Sequence, residues 1–310
     1  MKLRRFLGLP GAHARAALAG GVFAGILLPD LAALFRPALT AAVIGTLTLA
    51  LLRLDWSSLY AGLRRPRFAL LFAGWQLLLS PALAWALTAA LGLPAVVTLC
   101  LVLQAAAPPI GSAAVFALIL GLDGALAVLG TVASTLLLPL TLTPLVAMLA
   151  SPGLHVDLGA FFLRVALLVA APFALAWTVR LITGPARLAS HDDMLGSLNV
   201  AVLVVFAIGV MDGVTGRFVA EPGLMSLLLG AACAATVLLH VAGFFAFRRA
   251  GMQTAFSAAI CSGNRNMGLM LAVTAGTAGP EFSLYVGLAQ IPMYFAPLAL
   301  GPFVRRARAL

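Results

Sequence analysis

The sequence predicts an all-α polytopic membrane protein. Ten transmembrane helices form two inverted five-helix repeats, with helices 4 and 9 broken and crossing. Three observations predict this class. The 310 residues are 63% hydrophobic and only 9% charged, whereas about a quarter of a soluble domain is charged. The basic residues cluster at alternate ends of the apolar runs. Two polar or proline-rich breaks interrupt apolar runs at matching places in the two halves.

The apolar runs place spans at 14–31, 37–54, 68–91, 95–121, 125–149, 158–181, 194–213, 222–246, 252–277 and 282–304. A helix needs about 20 apolar residues to cross the hydrocarbon. Span 1 follows a basic start and carries Gly21 and Gly25, a GxxxG pair suited to close helix packing. Cleavage of a leader here would remove part of that helix and break the even count, so an uncleaved start is expected. Span 2 lies between Arg36 and Asp55. Spans 3 and 4 share the charge-free run from Phe68 to Leu122, which must cross twice.

Span 4 contains "APPIGSA", Ala107 to Ala113. Its two prolines remove two backbone donors and exclude α geometry before them, so the helix must be interrupted. Span 5 follows Asp123 and carries Thr131 and Ser134, hydroxyls of the kind that usually bond their own backbone. Span 6 follows Asp157, and Asp212 ends span 7. Span 8 holds His240, which has no visible acidic partner for a proton relay and reads as a packing or hydrogen-bonding group. Span 9 contains the second break, "CSGNRN", Cys261 to Asn266, where glycine and asparagine favour non-helical backbone. Span 10 follows Glu281 and ends before Arg305.

With the N-terminus inside, the inner segments hold fifteen basic residues and the outer ends only Arg36, Arg164 and Arg217. This positive-inside bias places both termini in the cytoplasm. The net charge of +10 therefore reflects topology, and no nucleic-acid partner is expected. Lys2 is the only lysine among the 19 basic residues, which suggests a GC-rich bacterial genome and hence the bacterial inner membrane. Cys100, Cys233 and Cys261 all fall within spans and lack metal or disulfide spacing, so no metal site is expected. No phosphate loop, metal cluster or nucleophile with a nearby base points to an enzyme.

Five spans per half invert the second half relative to the first, an arrangement common in secondary transporters. "GSAAVFALILGLDG", Gly111 to Gly124, aligns with "NMGLMLAVTAGTAG", Asn266 to Gly279. Gly121 then matches Gly276, and Gly124 matches Gly279. Interrupted backbone survives in a bilayer only when buried in protein or lining a wet cavity. Two breaks in corresponding positions point to a binding site at the midplane.

The chain resembles the bile acid:sodium symporter family, part of a larger group that includes arsenite and auxin-type carriers. The resemblance rests on "WQLLLSP" (Trp75 to Pro81), "APPIGSA", "GTVASTLLLP" (Gly130 to Pro139), "LHVAGFF" (Leu239 to Phe245) and "CSGNRNMGL", in that order. It implies a core domain from helices 3–5 and 8–10 and a panel domain from helices 1–2 and 6–7. The repeats would divide at 1–150 and 151–310. Sodium-using members carry a pattern close to E-x-G-x-Q-N-x-G-L in helix 9. Here Cys261 stands at the glutamate and Arg265 at the glutamine, while Gly263, Asn266, Gly268 and Leu269 keep their places. In helix 4, Ala113 and Ala114 replace serine and asparagine ligands. Gln76 matches a family ligand position. Thr131 and Ser134 lie near the matched sodium region.

All nine acidic residues lie at span ends or in loops, so no carboxylate is available at the midplane. The expected function is secondary transport of an organic anion by alternating access. Sodium is possible as a cofactor but not favoured, and Arg265 serves as a fixed cation for the substrate. The expected substrate site comprises Arg265, Asn264, Asn266, Ser262, Gly263, Gln76, Pro108, Pro109, Gly111 and Ser112. The former ion positions are Cys261, Ala113, Ala114, Thr131 and Ser134. The expected partners are a small anionic substrate and the lipid bilayer. An opposing role for Arg265 is to cap the carbonyls that end the first half of helix 9. The alternatives are sodium-coupled symport of a bile-acid-like anion and a non-transporting sensor or scaffold.

Overall fold

The structure is a computed structural model and describes residues 11–54, 66–113, 117, 120–122, 124–149 and 156–308. Among these residues the chain forms helices and no strand, and the only extended pairing is an isolated bridge. In order, the helices are α1 (Gly11–Leu27), α2 (Pro29–Phe35), α3 (Leu39–Leu52), α4 (Pro66–Gly74), α5 (Ser80–Ala90), α6 (Ala95–Ala106), α7 (Gly124–Leu149), α8 (Leu158–Thr183), α9 (Pro185–Ser190), α10 (Asp192–Gly209), α11 (Val214–Ala220), α12 (Pro222–Phe247), α13 (Met252–Gly263), α14 (Met267–Thr274) and α15 (Pro280–Arg308). Among the described residues, six helical segments are long and apolar enough to cross a membrane: Pro29–Leu52, Arg67–Ala90, Leu126–Leu149, Leu158–Thr183, Asp192–Ala220 and Pro222–Ala250. The chain is an integral membrane protein.

Several boundaries differ from the sequence expectation. Span 1 was placed over 14–31, but α1 ends at Leu27 because Pro29 forces the residue before it out of the helical region. The next helix begins at Pro29 and passes through a 3₁₀ turn at Arg36–Ala38 before continuing as α3. At the far end of α3, Arg53 donates two hydrogen bonds to Asp192, of 2.7 and 3.0 Å, and so ties α3 to the start of α10. Those bonds hold Arg53 above its ordinary pKa.

Two packing neighbourhoods are evident. α10 packs on α1 and α3, and α8 on α3. α12 packs on α13, α15 and α6, and α7 packs on α4. α7 packs on α8, and α14 touches α3, and these contacts link the two groups.

Among the described residues, three further interruptions bear on the site. Between α4 and α5 the chain makes a π-helical turn at Trp75–Leu79, where the Ser80 N–H reaches back five residues to the Trp75 carbonyl. Ala107 leaves α6 in an extended conformation (φ −65°, ψ 142°), just before the proline pair. α13 ends at Gly263 and α14 restarts at Met267.

Candidate functional site

The breaks after α6 and α13 pair with each other. Pro109 and Arg265 form an antiparallel bridge. The Ile110 N–H donates to the Asn264 carbonyl at 2.9 Å, and the Asn266 N–H donates to the Pro108 carbonyl at 2.8 Å. Backbone groups that helices would normally satisfy are therefore satisfied by the opposite break, as burial requires.

This exchange leaves carbonyls without helical partners, and they converge on Arg265. The Ser262 carbonyl would accept from the N–H of Asn266 in a continuous helix, but that N–H is spent on Pro108. Arg265 Nε donates to the Ser262 oxygen instead, at 2.6 Å. The Ala107 carbonyl lies just beyond α6 and accepts from Nη1 at 2.6 Å. In the π turn, the Gln76 carbonyl would look five residues on, to Pro81, which has no N–H. It accepts from Nη1 at 3.3 Å. Ser80 Oγ completes the set, accepting from Nη2 at 2.8 Å.

Arg265 is 0% exposed, and none of the ion pairs among the described residues includes it. Burying a charge in the bilayer centre costs roughly 2.5–3.5 kcal/mol on insertion scales. A hydrogen bond to a charged group contributes about 1.5–3 kcal/mol, so four acceptors offset much of that cost. The carbonyl ends of interrupted helices also carry partial negative charge. Three backbone oxygens and a hydroxyl thus surround the buried guanidinium. The guanidinium points into the protein in this conformation and not into open space.

The other expected residues fall around this centre. Ser262 Oγ accepts from Trp75 Nε1 at 2.9 Å and from Gln76 Nε2 at 3.4 Å. Gln76 Oε1 is buried without a partner. Asn266 caps α14, its Oδ1 accepting from the Leu269 N–H at 3.0 Å. Asn264 Nδ2 donates to the Ile260 carbonyl at 2.9 Å and meets His240 Nε2 at 3.2 Å. His240 Nε2 is then the acceptor, so Nδ1 carries the proton and donates to the Thr236 carbonyl at 2.6 Å. His240 is thus a neutral bridge between α12 and α13. Gly263 is required there, because a Cβ would lie 1.7 Å from the imidazole Nδ1.

A cavity of about 60 Å³ adjoins the paired breaks and is lined by Gly111, Ser112, Arg265 and Asn266 among others. Pro108 and Pro109 are buried beside it in the bridge. Cys261 and Ala113 instead share an apolar cluster with Phe72, Ala127 and Ile260. Thr131 donates to the Ala127 carbonyl of its own helix at 2.7 Å. Ser134 is buried and its hydroxyl has no partner. Ala114 lies outside the described residues.

Sequence reasoning did not anticipate Ser80, or Trp75 as a donor to Ser262. It also passed over Thr46, Asn199 and Gln290, which line the cavity. Asn199 Oδ1 is buried there without a partner. Pro81, inside a helical run, was the available signal for the π turn.

A model of the sodium bile acid symporter family matches residues 40–219, more than half of the chain. The chain belongs to the sodium bile acid symporter family. The match spans α3 to α11 and includes the α6 break, while the Arg265 break lies beyond it. No curated protein matches the chain. Membership of the symporter family makes the chain a membrane transporter in type, with a small-molecule substrate.

Proposed function

We propose that the protein is a secondary transporter of an organic anion, working by alternating access with Arg265 in place of a bound cation. The observation that carries this reading is the enclosure of the guanidinium by three orphaned carbonyls and a hydroxyl, with no carboxylate. Arg265 keeps a net positive charge that neutral acceptors do not cancel. Its field reaches the adjoining cavity through low-dielectric protein and favours an anion there. Substrate selection thus uses the charge across a short distance, while the donors themselves hold the crossing together. Cys261 and Ala113, both packed in an apolar cluster, bring no side-chain oxygen to the former sodium positions, which supports their loss. Small-molecule sites occupy about 300–1,000 Å³, so the 60 Å³ cavity must enlarge to take up substrate.

Ten helices in two inverted repeats are part of the same reading. Pro109 and Arg265, which face each other at the crossing, stand 156 residues apart. The two bridging hydrogen bonds are reciprocal, as a pseudo-two-fold axis requires. Gly121 and Gly276 both adopt positive φ, 66° and 78°. The two packing neighbourhoods support a panel and a core that rock about the crossing. Both termini would lie in the cytoplasm of a bacterial inner membrane.

Proteoliposome uptake of radiolabelled taurocholate, with choline replacing sodium, tests the proposal. Uptake should persist without sodium and be lost in a folded Arg265→Ala variant. Normal uptake by Arg265→Ala would falsify the role given to the arginine. A second reading, sodium-coupled symport, draws on the unpartnered buried oxygens of Gln76, Ser134 and Ser257. Uptake that requires sodium would favour it.

A further inference from the structure

The small cavity beside the crossing has a larger neighbour of about 430 Å³. The same run of elements lines both cavities, each element giving opposite ends to the two. α3 gives Thr46 and Ala50 to the small cavity, and Leu39 and Thr40 to the large one. α10 gives Asn199 and Leu203 to the small cavity, and Gly209 to the large one. α14 gives Met267 and then Leu271 and Ala272, and α15 gives Gln290 and Tyr294 and then Pro280 and Ser283. Val43 and Gly268 line both.

Between the cavities the packing is closed. A Cβ at Gly268 would stand 3.0 Å from Phe206 Cζ and 3.2 Å from Val43 Cγ2. Val43 and Phe206 are buried. Thr40 and Thr46 are six residues apart on α3, roughly 9 Å at the helical rise. The seal is therefore less than two helical turns thick.

We propose that Val43, Phe206 and Gly268 form the gate of a single permeation path, closed in this structure, which α3, α10, α14 and α15 line from one membrane face to the other. The inference rests on the transporter reading above and adds the route and its barrier. Glycine suits 268 because an added Cβ would stand tight against the ring and the isopropyl group. α14 begins at the paired breaks, so a displacement of the crossing relative to α3 and α10 withdraws Gly268 from the ring and opens the seal. The apolar seal carries no hydrogen bond that must break when it parts.

The test uses single cysteines, Thr40→Cys and Thr46→Cys, and a membrane-impermeant maleimide. Labelling in right-side-out and inside-out vesicles is read above that of the unmutated chain. Each cysteine should react from one face only, and the two faces should be opposite. Adding Phe206→Ala should raise labelling from the far face by about tenfold or more, as a shift of the closed state predicts. Val43→Ala, a milder change, should raise it in the same direction. Labelling of both cysteines from the same face overturns the gate. So does far-face labelling unchanged by either truncation in folded protein. Taurocholate uptake is read separately, so same-face labelling overturns the gate even where uptake persists, and loss of the transport reading shows in uptake alone.

Discussion

At the scale of the residue, Arg265 and Gly263 carry the most testable chemistry. The arginine has no carboxylate partner among the described residues, and its donors make four hydrogen bonds. The glycine owes its place to contact with the His240 ring, because an added methyl would enter the imidazole. Gly263→Ala should cost about 1–3 kcal/mol or more, the usual range for overpacking. Most of that cost should disappear in a His240→Ala background, since the colliding ring is gone. Thermal unfolding midpoints of the two single variants and the double variant measure this directly. Strict additivity of the two substitutions would contradict the contact. The sequence made the charge of Arg265 obvious and its partners invisible. Three of the partners are backbone oxygens, which leave no mark on side-chain identity.

At the scale of the element, the interruptions decide the site. The break after α6 was legible because consecutive prolines cannot continue a helix. The break after α13 was legible because glycine and two asparagines cluster there. The π turn was not foreseen, because one proline in a membrane helix is compatible with a simple kink. Its consequence is specific. Pro81 denies the Gln76 carbonyl an N–H, and Arg265 supplies one. Pro81→Ala offers the helix a way to heal and should compete with the arginine for that carbonyl. The substitution should thus be less favourable in the unmutated protein than in an Arg265→Gln background. The coupling should fall within about 0.5–3 kcal/mol, the range for residues in one hydrogen-bond network. Additive effects in a double-mutant cycle would place the π turn outside the arginine's network.

At the scale of the whole molecule, composition was enough for the membrane class, and charge-free runs located most of the helices. The entry to the second span was misplaced because Pro29 starts a helix earlier than the Arg36–Pro37 pair suggested. What composition could not convey is how the halves meet. The arrangement is a pair of breaks with the Arg265 guanidinium held between them, and, on the proposed reading, cavities on two levels of one path. On the proposed reading, Arg265 already supplies the cation, and an external one gains nothing at that position. A ligand that binds only the folded state raises the unfolding midpoint by mass action, and sodium should fail to act as such a ligand here. The most direct measurement is the thermal unfolding midpoint of detergent-purified protein as sodium chloride is replaced stepwise by choline chloride at constant ionic strength. A midpoint that stays flat across the series is the predicted result. A saturable rise with sodium would show a surviving ion site and contradict the exchange of a bound cation for Arg265.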